Sequence, residues 1–317
     1  MSGKPPGPEV QVADAAGIAA AATLLREGKP VALPTETVYG LAARADSDSA
    51  VAAIYAAKGR PAFNPLIVHI RDLGQGETIA AFDSRARALA AAFWPGALTM
   101  VLPLRPDVRI AAAVTAGLPT IALRCPAHPM MRAVLEATGL PLAAPSANRS
   151  GGVSPTTAAH VAQSLAGRIE LVLDGGPCET GLESTIVALR NNGTWQVLRP
   201  GPITAEQIAG ILGTAPDVMS AETIEAPGQL ASHYSPGKPV RLDAETGARD
   251  EFMIGFGAVG GAINLSPAAD LSEAAARLYT ALHAAAQAPQ SKVAVAALPA
   301  QGLGAAITDR LRRAARG

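Results

Sequence analysis

The chain has 317 residues, 49% of them hydrophobic and only 3% aromatic, with 26 Lys+Arg against 26 Asp+Glu. That length and apolar share suit two domains whose cores are built from small aliphatic side chains. Zero net charge, with both sides of residue 205 close to neutral, excludes the bulk electrostatic footprint of a dedicated nucleic-acid binder.

The opening stretch MSGKPPGPEV is proline-rich without an apolar core, so it does not read as a signal peptide. No run approaches the roughly 18 apolar residues of a membrane span. Cys125 and Cys178 are far apart and form no CxxC, which argues against a zinc site or disulfide framework and fits a reducing cytoplasm. Patterning predicts strands over 30–33, 66–70, 98–103, 120–124, 141–144, 171–173, 184–189 and 195–199. It predicts helices over 14–26, 47–58, 84–93, 128–138, 156–166 and 204–212. The alternation suggests an α/β domain with a mixed, twisted sheet, and the Asn192-Gly193 turn marks an antiparallel hairpin. Residues 213–239 carry Pro216, Pro227, Pro236 and Pro239 with little periodicity, and read as a functional linker. A small unit follows, with strands near 240–242, 252–255 and 293–296 and helices near 271–286 and 303–314.

No GxxxxGK[ST] occurs, so a P-loop is out. GFGAVG at 255–260 fits GxGxxG and follows a strand. Yet GAINLSP follows where a helix should open, and the acidic residue about 20 positions on is missing. It reads better as a glycine-rich strand-to-loop turn.

LPTETVYGLAA, 33–43, leaves a strand and enters a polar turn carrying Thr35, Glu36, Thr37 and Tyr39; a strand end with a helix cap is its bland reading. KGRPAFNPLIVHI, 58–70, is sharper. Pro61 and Pro65 stiffen the backbone around Arg60 and Asn64, so the turn presents side chains at low entropic cost. Lys58 is a point charge and Arg60 a planar fork suited to phosphate or carboxylate. His69 shares a strand face with Ile67. A lone histidine there would be a core residue; with two cations upstream, an anion site is the better reading. APSANRSGGVSPTTA (144–158) and LDGGPCETGLESTIV (173–187) add donor-rich turns at strand ends, and LRPGPIT (198–204) puts Arg199 at another. In open α/β sheets ligands bind at such strand ends. No Ser-His-Asp or Cys-His order suggests a covalent nucleophile, and no His/Asp cluster suggests a protein-only metal cage.

PTETVYGL, KGRPxxNPLIVH, PSANxSGxxSPT, DGGxxxxGLESTIV and LRPG occur in the order seen in the YrdC-type domain of L-threonylcarbamoyladenylate synthases, which residues 12–205 resemble. The rest, with PGQLASHYSP at 227–236, resembles the linker and small C-terminal domain of the longer form; the single-domain form would stop near residue 205. The resemblance implies a YrdC-like twisted mixed sheet with flanking helices around a basic cavity over 1–205. A linker, 206–238, would fold over the active site, and a small Rossmann-like α/β domain would occupy 239–317. It implies a cytoplasmic nucleotidyltransferase that turns L-threonine, bicarbonate or CO2, and ATP with Mg²⁺ into threonylcarbamoyl-AMP and pyrophosphate. A downstream tRNA threonylcarbamoyltransferase complex would use the product beside the anticodon. Direct tRNA binding stays open.

Residue by residue, Thr37, His69, Arg124, Ala144 (through its backbone) and Ser184 match positions that hold threonine. Arg60, Asn64, Thr120, Ser146, Ser154, Arg199 and Tyr234 match positions around ATP. Lys58 matches the lysine of the family's KxR motif, which makes Lys58 and Arg60 the candidate catalytic cations. Magnesium would be held mainly by the ATP phosphates, with no protein metal site. His233 and Tyr234 would lie in a strap over the cavity. One departure concerns 229–232, QLAS, where the family often has a bulkier aromatic; Ala231 and Ser232 would seal less tightly. The rival reading is a non-catalytic double-stranded RNA or tRNA-binding module. Neutral charge and scarce aromatics speak against it.

Overall fold

The computed structural model describes residues 7–61, 63–217, 225–227, 229 and 233–317. In chain order the first unit contains β1 (Glu9–Val12), α1 (Ala15–Arg26), β2 (Val31–Leu33), β3 (Gly40–Arg44), α2 (Asp48–Lys58), β4 (Ile67–His69), α3 (Leu73–Ile79) and α4 (Ser84–Phe93). It continues with β5 (Leu98–Pro103), α5 (Ala112–Thr115), β6 (Thr120–Arg124), α6 (Pro129–Thr138), β7 (Leu142–Ala143) and α7 (Ala158–Ser164). It closes with β8 (Leu171–Asp174), β9 (Thr185–Leu189), β10 (Trp195–Arg199) and α8 (Ala205–Leu212). The second unit contains β11 (Val240–Arg241), β12 (Glu251–Gly255), β13 (Ile263–Asn264), α9 (Leu271–Gln287), β14 (Lys292–Val295) and α10 (Leu303–Ala314).

Helix starts follow from capping chemistry. The side chains of Asp14, Ser47, Asp83 and Asp270 each accept the backbone N–H three residues on. Thr204 and Gln207 form a reciprocal capping box at α8. Each cap is worth about 1 kcal/mol.

The first sheet runs in the order β1-β8-β2-β3-β7-β4-β6-β5-β9-β10. It is mixed as the pattern suggested: β4 pairs parallel with β6 and β5 with β9, whereas β2–β3, β5–β6 and β9–β10 are antiparallel. The β9–β10 hairpin turns at Asn192-Gly193, with Gly193 at φ 91. A central core of Leu41, Ile54, Val68, Leu98, Leu123 and Val187 fills one side of the sheet. Strand β3 was not expected. Its GLAAR sequence has no β-branched residue, and its strand character comes from the preceding turn. There Thr35 donates from Oγ1 to the Val38 carbonyl at 2.6 Å, and Gly40 then pairs with Leu33. β1, β13, α3 and α5 also escaped the pattern, being short, at an edge or glycine-bearing.

The second sheet, β11-β14-β12-β13, is wholly parallel. GFGAVG forms the turn between β12 and β13, closed by a bridge between Phe256 and Val259, and no helix follows it. The helix a dinucleotide fingerprint requires is therefore absent there. The two units share apolar contacts: Val38, Val153 and Leu182 of the first belong to the same buried cluster as Ile254, Leu278 and Val295 of the second. Gly181, at φ 71, lets α9 approach the 175–184 loop; a Cβ there would lie 2.5 Å from the Ala275 carbonyl oxygen. No helix among the described residues is long and apolar enough to cross a membrane.

Candidate active site

Several strand ends of the first sheet converge on one cavity of about 560 Å³, counting its open mouth. Thr35 and Thr37 follow β2, His69 ends β4, and Arg124 ends β6. Ala144 and Ser146 follow β7, Ser184 precedes β9, and Arg199 ends β10. Arg60, Glu183, Pro227, His233 and Tyr234 complete much of the lining.

On the β4–β6 wall, Arg124 donates from Nη1 to Thr37 Oγ1 at 2.8 Å and from Nε to the Gly96 carbonyl at 3.1 Å. Its Nη2 lies 2.7 Å from Glu36 Oε1, and both side chains are nearly buried. Burial alone would raise the Glu36 pKa; the Arg124 charge outweighs it and holds the group below the usual range. His69 sits opposite Arg124 in the parallel register, with no hydrogen-bond partner on Nδ1. Burial, reinforced by Arg124, pushes its pKa down to about 3, so the ring is neutral at physiological pH. This wall offers a guanidinium, hydroxyls and a neutral imidazole, a set that matches an amino-acid carboxylate and its neighbours.

The other wall keeps its cations on carbonyls. Arg60 donates from Nε to the Asn64 carbonyl at 3.3 Å and from Nη2 to the Pro65 carbonyl at 3.0 Å. Arg199 donates to the Ser184 carbonyl at 2.9 and 3.1 Å, to Ser184 Oγ at 3.1 Å and to the Pro227 carbonyl at 3.5 Å. Neither has a carboxylate partner among the ion pairs of the described residues. Burial lowers both pKa values, that of Arg60 to about 10. Arg60 is a desolvated guanidinium without a carboxylate partner, and Arg199 has only the through-space charge of Glu183, an arrangement suited to receiving an anion.

Four expected residues stand off the cavity lining. Lys58 is 2% exposed, and its Nζ donates to the Ser146 and Asn148 carbonyls, both at 2.6 Å. Its charge braces the 144–150 loop from behind. Asn64 is buried, and its carbonyl accepts from Arg60 and Tyr55. Thr120 opens β6 opposite Pro103, half-buried. Ser154 Oγ donates to Glu183 Oε1 at 2.6 Å.

The described end of the strap, from residue 233 on, packs against the first unit. Tyr234 is 1% exposed at φ 65, and the Ser235 N–H donates to the Gly151 carbonyl at 3.0 Å. Further back, Arg190 pairs with Glu225 at 2.6 Å. Leu230, Ala231 and Ser232 lie outside the described residues. Sequence reasoning gave no role to Glu183, although it stands in GLEST, nor to Tyr279 and Arg310, which reach it from the second unit. Arg310 falls on the apolar stripe of α10 with Ala306, Ile307, Leu311 and Ala314; a cation on a core stripe is the signal that could have found it.

Fold and site together define a YrdC-type α/β protein with an arginine-lined cavity bordered by Tyr234, joined to a second, parallel sheet. A Sua5–YciO–YrdC family model, described as telomere recombination, matches residues 23–201, and one described as the threonylcarbamoyl-AMP synthase C-terminal domain matches 203–316. The threonylcarbamoyl-AMP synthase of Bacillus subtilis is 42% identical over 95% of this chain and 93% of its own. Sua5 of Pyrococcus abyssi complexed with L-threonine superposes with TM-score 0.86 at 36% identity, covering 94% of each chain. A His/Tyr-to-Ala double variant of that protein superposes at 0.89 with 35% identity, over 98% of this chain and 96% of its own. The chain belongs to the threonylcarbamoyl-AMP synthase family, in its two-unit form.

Proposed function

We propose that this chain makes threonylcarbamoyl-AMP and pyrophosphate from L-threonine, bicarbonate or CO2, and ATP, for threonylcarbamoyladenosine modification of tRNA. The observation that carries this reading is the pairing of two unlike walls in one cavity: Arg124 with Thr37 beside neutral His69, and the carbonyl-held guanidiniums of Arg60 and Arg199. The first wall suits threonine, and the relative solved with L-threonine supports that assignment. The second suits the phosphates of ATP.

In this reading threonine's amine adds to CO2 and loses a proton, giving a carbamate. A carbamate oxygen attacks the α-phosphorus, the bond to the bridging oxygen breaks, and pyrophosphate leaves. Both reactants are anions, so their approach needs screening. Arg60 and Arg199 supply it from fixed positions, without reorganisation during the step. Thr37, Ser184 and the Ala144 backbone hold threonine, with Arg124 on its carboxylate. His69 adds polarity without charge. Ser146 and Tyr234 line the nucleotide side; Asn64, Ser154 and Thr120 act from behind it, and Lys58 sets the shape of the 144–150 loop. Proximity contributes much of the remaining acceleration. The strap keeps water from a carbamate and a mixed anhydride.

Magnesium enters with ATP as part of the substrate. Among the described residues no group of three His, Cys, Asp or Glu could hold a metal ion, and Glu36 and Glu183 are both committed to arginines. The phosphates would hold the cation, which would offset their charge. The reading places the protein in the cytoplasm, upstream of the complex that transfers the threonylcarbamoyl group to tRNA.

The test is pyrophosphate release by purified protein with ATP, Mg²⁺ and bicarbonate, with and without L-threonine. Release that requires threonine and bicarbonate is the expected result. No release from a folded sample that binds RNA tightly would overturn the reading in favour of an RNA-binding module.

A further inference from the structure

Glu183 is the only carboxylate among the described residues lining the cavity. A free negative charge there would oppose both reactants of the proposed reaction. It is 7% exposed and carries four polar contacts. Ser154 Oγ donates at 2.6 Å, Tyr279 OH lies 2.8 and 3.0 Å from its two oxygens, and Arg310 Nε donates at 2.8 Å. Two of those partners come from the second unit, Tyr279 from α9 and Arg310 from α10, and both are fully buried. Burial by itself would raise the Glu183 pKa; Arg310 and Arg199 outweigh it and keep the group ionised.

The same two side chains grip the strap. The Arg310 guanidinium lies 5.6 Å from the centroid of the Tyr234 ring, within cation–π range. Tyr279 stacks on Tyr234 with centroids 5.6 Å apart and planes 28° from parallel. Tyr234 adopts a left-handed backbone that a tyrosine takes only when its surroundings impose it. Arg310 Nη1 pairs with Asp309 at 2.9 Å, while Nη2 has no hydrogen-bond partner, which leaves the tyrosine face as a further stabilising neighbour of the group. No side chain of α9 or α10 lines the cavity itself.

We propose that Arg310 and Tyr279 are positioning residues for the reaction: they neutralise and orient Glu183 in the cavity wall and hold Tyr234 of the strap over the nucleotide. The second unit thereby takes part in ATP use without touching ATP. The inference rests on the synthase reading for its kinetic arm and on geometry alone for its structural arm.

The experiment uses the full chain with Tyr279→Phe, Arg310→Met and the double variant Glu183→Gln/Arg310→Met. Tyr279→Phe removes one hydroxyl and keeps the ring, so it folds even where Arg310→Met leaves Glu183 buried without its cation. The double variant removes both charges of the pair and so loses less thermal stability than Arg310→Met alone. Three quantities are read: KM for ATP, Kd for L-threonine, and hydrogen-exchange protection of 233–237 without substrate. In both Arg310 variants KM for ATP rises about tenfold or more, a modest coupling free energy. Threonine affinity stays within about twofold of the parent, because Arg124 and Thr37 are untouched. The strap amides lose protection, most in the Arg310 variants and less in Tyr279→Phe. Unchanged strap protection in all three variants overturns the proposal. So does a rise in threonine Kd that tracks the loss of thermal stability, which is what a purely structural junction predicts. If the parent protein releases no pyrophosphate, the synthase reading falls, while strap protection still decides whether Arg310 and Tyr279 hold Tyr234.

Discussion

Arg124 and Arg60 are both buried cations in one cavity, and they are kept there by different means. Arg124 faces Glu36 at 2.7 Å and donates to a hydroxyl and a carbonyl. Arg60 donates only to the carbonyls of Asn64 and Pro65, on the rigid turn that Pro61 and Pro65 create. An arginine with a buried carboxylate is part of the fold before it is part of the chemistry. An arginine held by carbonyls has its charge free for a ligand, and the fold loses little without it. The difference separates cations paired within the fold from cations held only by carbonyls, which the proposed function assigns to phosphate.

The largest expected effect follows from the paired wall. Arg124→Met leaves Glu36 buried without a counter-charge, and breaking such a pair costs about 3–5 kcal/mol. Urea unfolding should show that loss, with threonine binding weakened in whatever stays folded. A loss under about 1 kcal/mol would mean that Glu36 reaches water and that the two walls do not differ as described.

Arg60→Ala sharpens the contrast from the other side. Turnover should fall by about two to three orders of magnitude, the scale for a positioned electrostatic group. Stability should stay within about 1 kcal/mol of the parent, since a desolvated, unpaired cation is being removed. Pyrophosphate release and a thermal melt on the same sample decide it. Normal turnover in a folded Arg60→Ala protein would end its role.

A third way to keep basic groups inside is to leave them neutral. His160 of α7 and His283 of α9 stack across the junction at 3.8 Å, with His283 Nε2 3.1 Å from the Ser154 carbonyl. Thr156 is the polar neighbour of His160. Burial, then the neighbouring imidazole, pushes the His160 pKa down to about 4; burial also lowers that of His283. A lowered histidine pKa means that the folded state binds protons less readily than the unfolded one. The stabilisation is therefore complete above about pH 6.5 and is lost as pH falls towards 4. The rings are partly solvent-exposed, and screening limits the loss to about 1–2 kcal/mol. His160→Gln should flatten the stability profile between pH 6.5 and 4. An unchanged slope would remove the pair from the account of acid sensitivity.

Much of this was legible in the sequence because it is local. The stiff turn around Arg60, the strand ends at His69, Arg124 and Arg199, and the Asn192-Gly193 hairpin are each written in a few consecutive residues. What was not legible depends on partners far along the chain. β3 looks like helix until the Thr35 turn reverses the backbone. Lys58 reads as a candidate catalytic cation, and its hold on the Ser146 and Asn148 carbonyls appears only once distant residues meet. Glu183 gains its partners from α9 and α10, about 96 and 127 positions downstream, and no spacing rule reaches that far. Strand pairing between β2 and β8 is lost to local reading for the same reason.

The smallest effect is the most direct check on why the two walls differ. Arg87 and Glu77 lie 2.7 Å apart, the same separation as Arg124 and Glu36. Their side chains are 56% and 38% exposed, against 4% and 11% for the buried pair. Distance is thus constant between the two pairs while burial changes. In water-like surroundings Coulomb attraction is screened, and ordering two long side chains offsets most of the remainder. Glu77→Ala should therefore change stability by less than about 0.5 kcal/mol, and less still at high salt. A cost comparable to that of Arg124→Met would mean that proximity alone sets the strength of these pairs. The distinction between paired cations and carbonyl-held cations would then rest on geometry and not on desolvation.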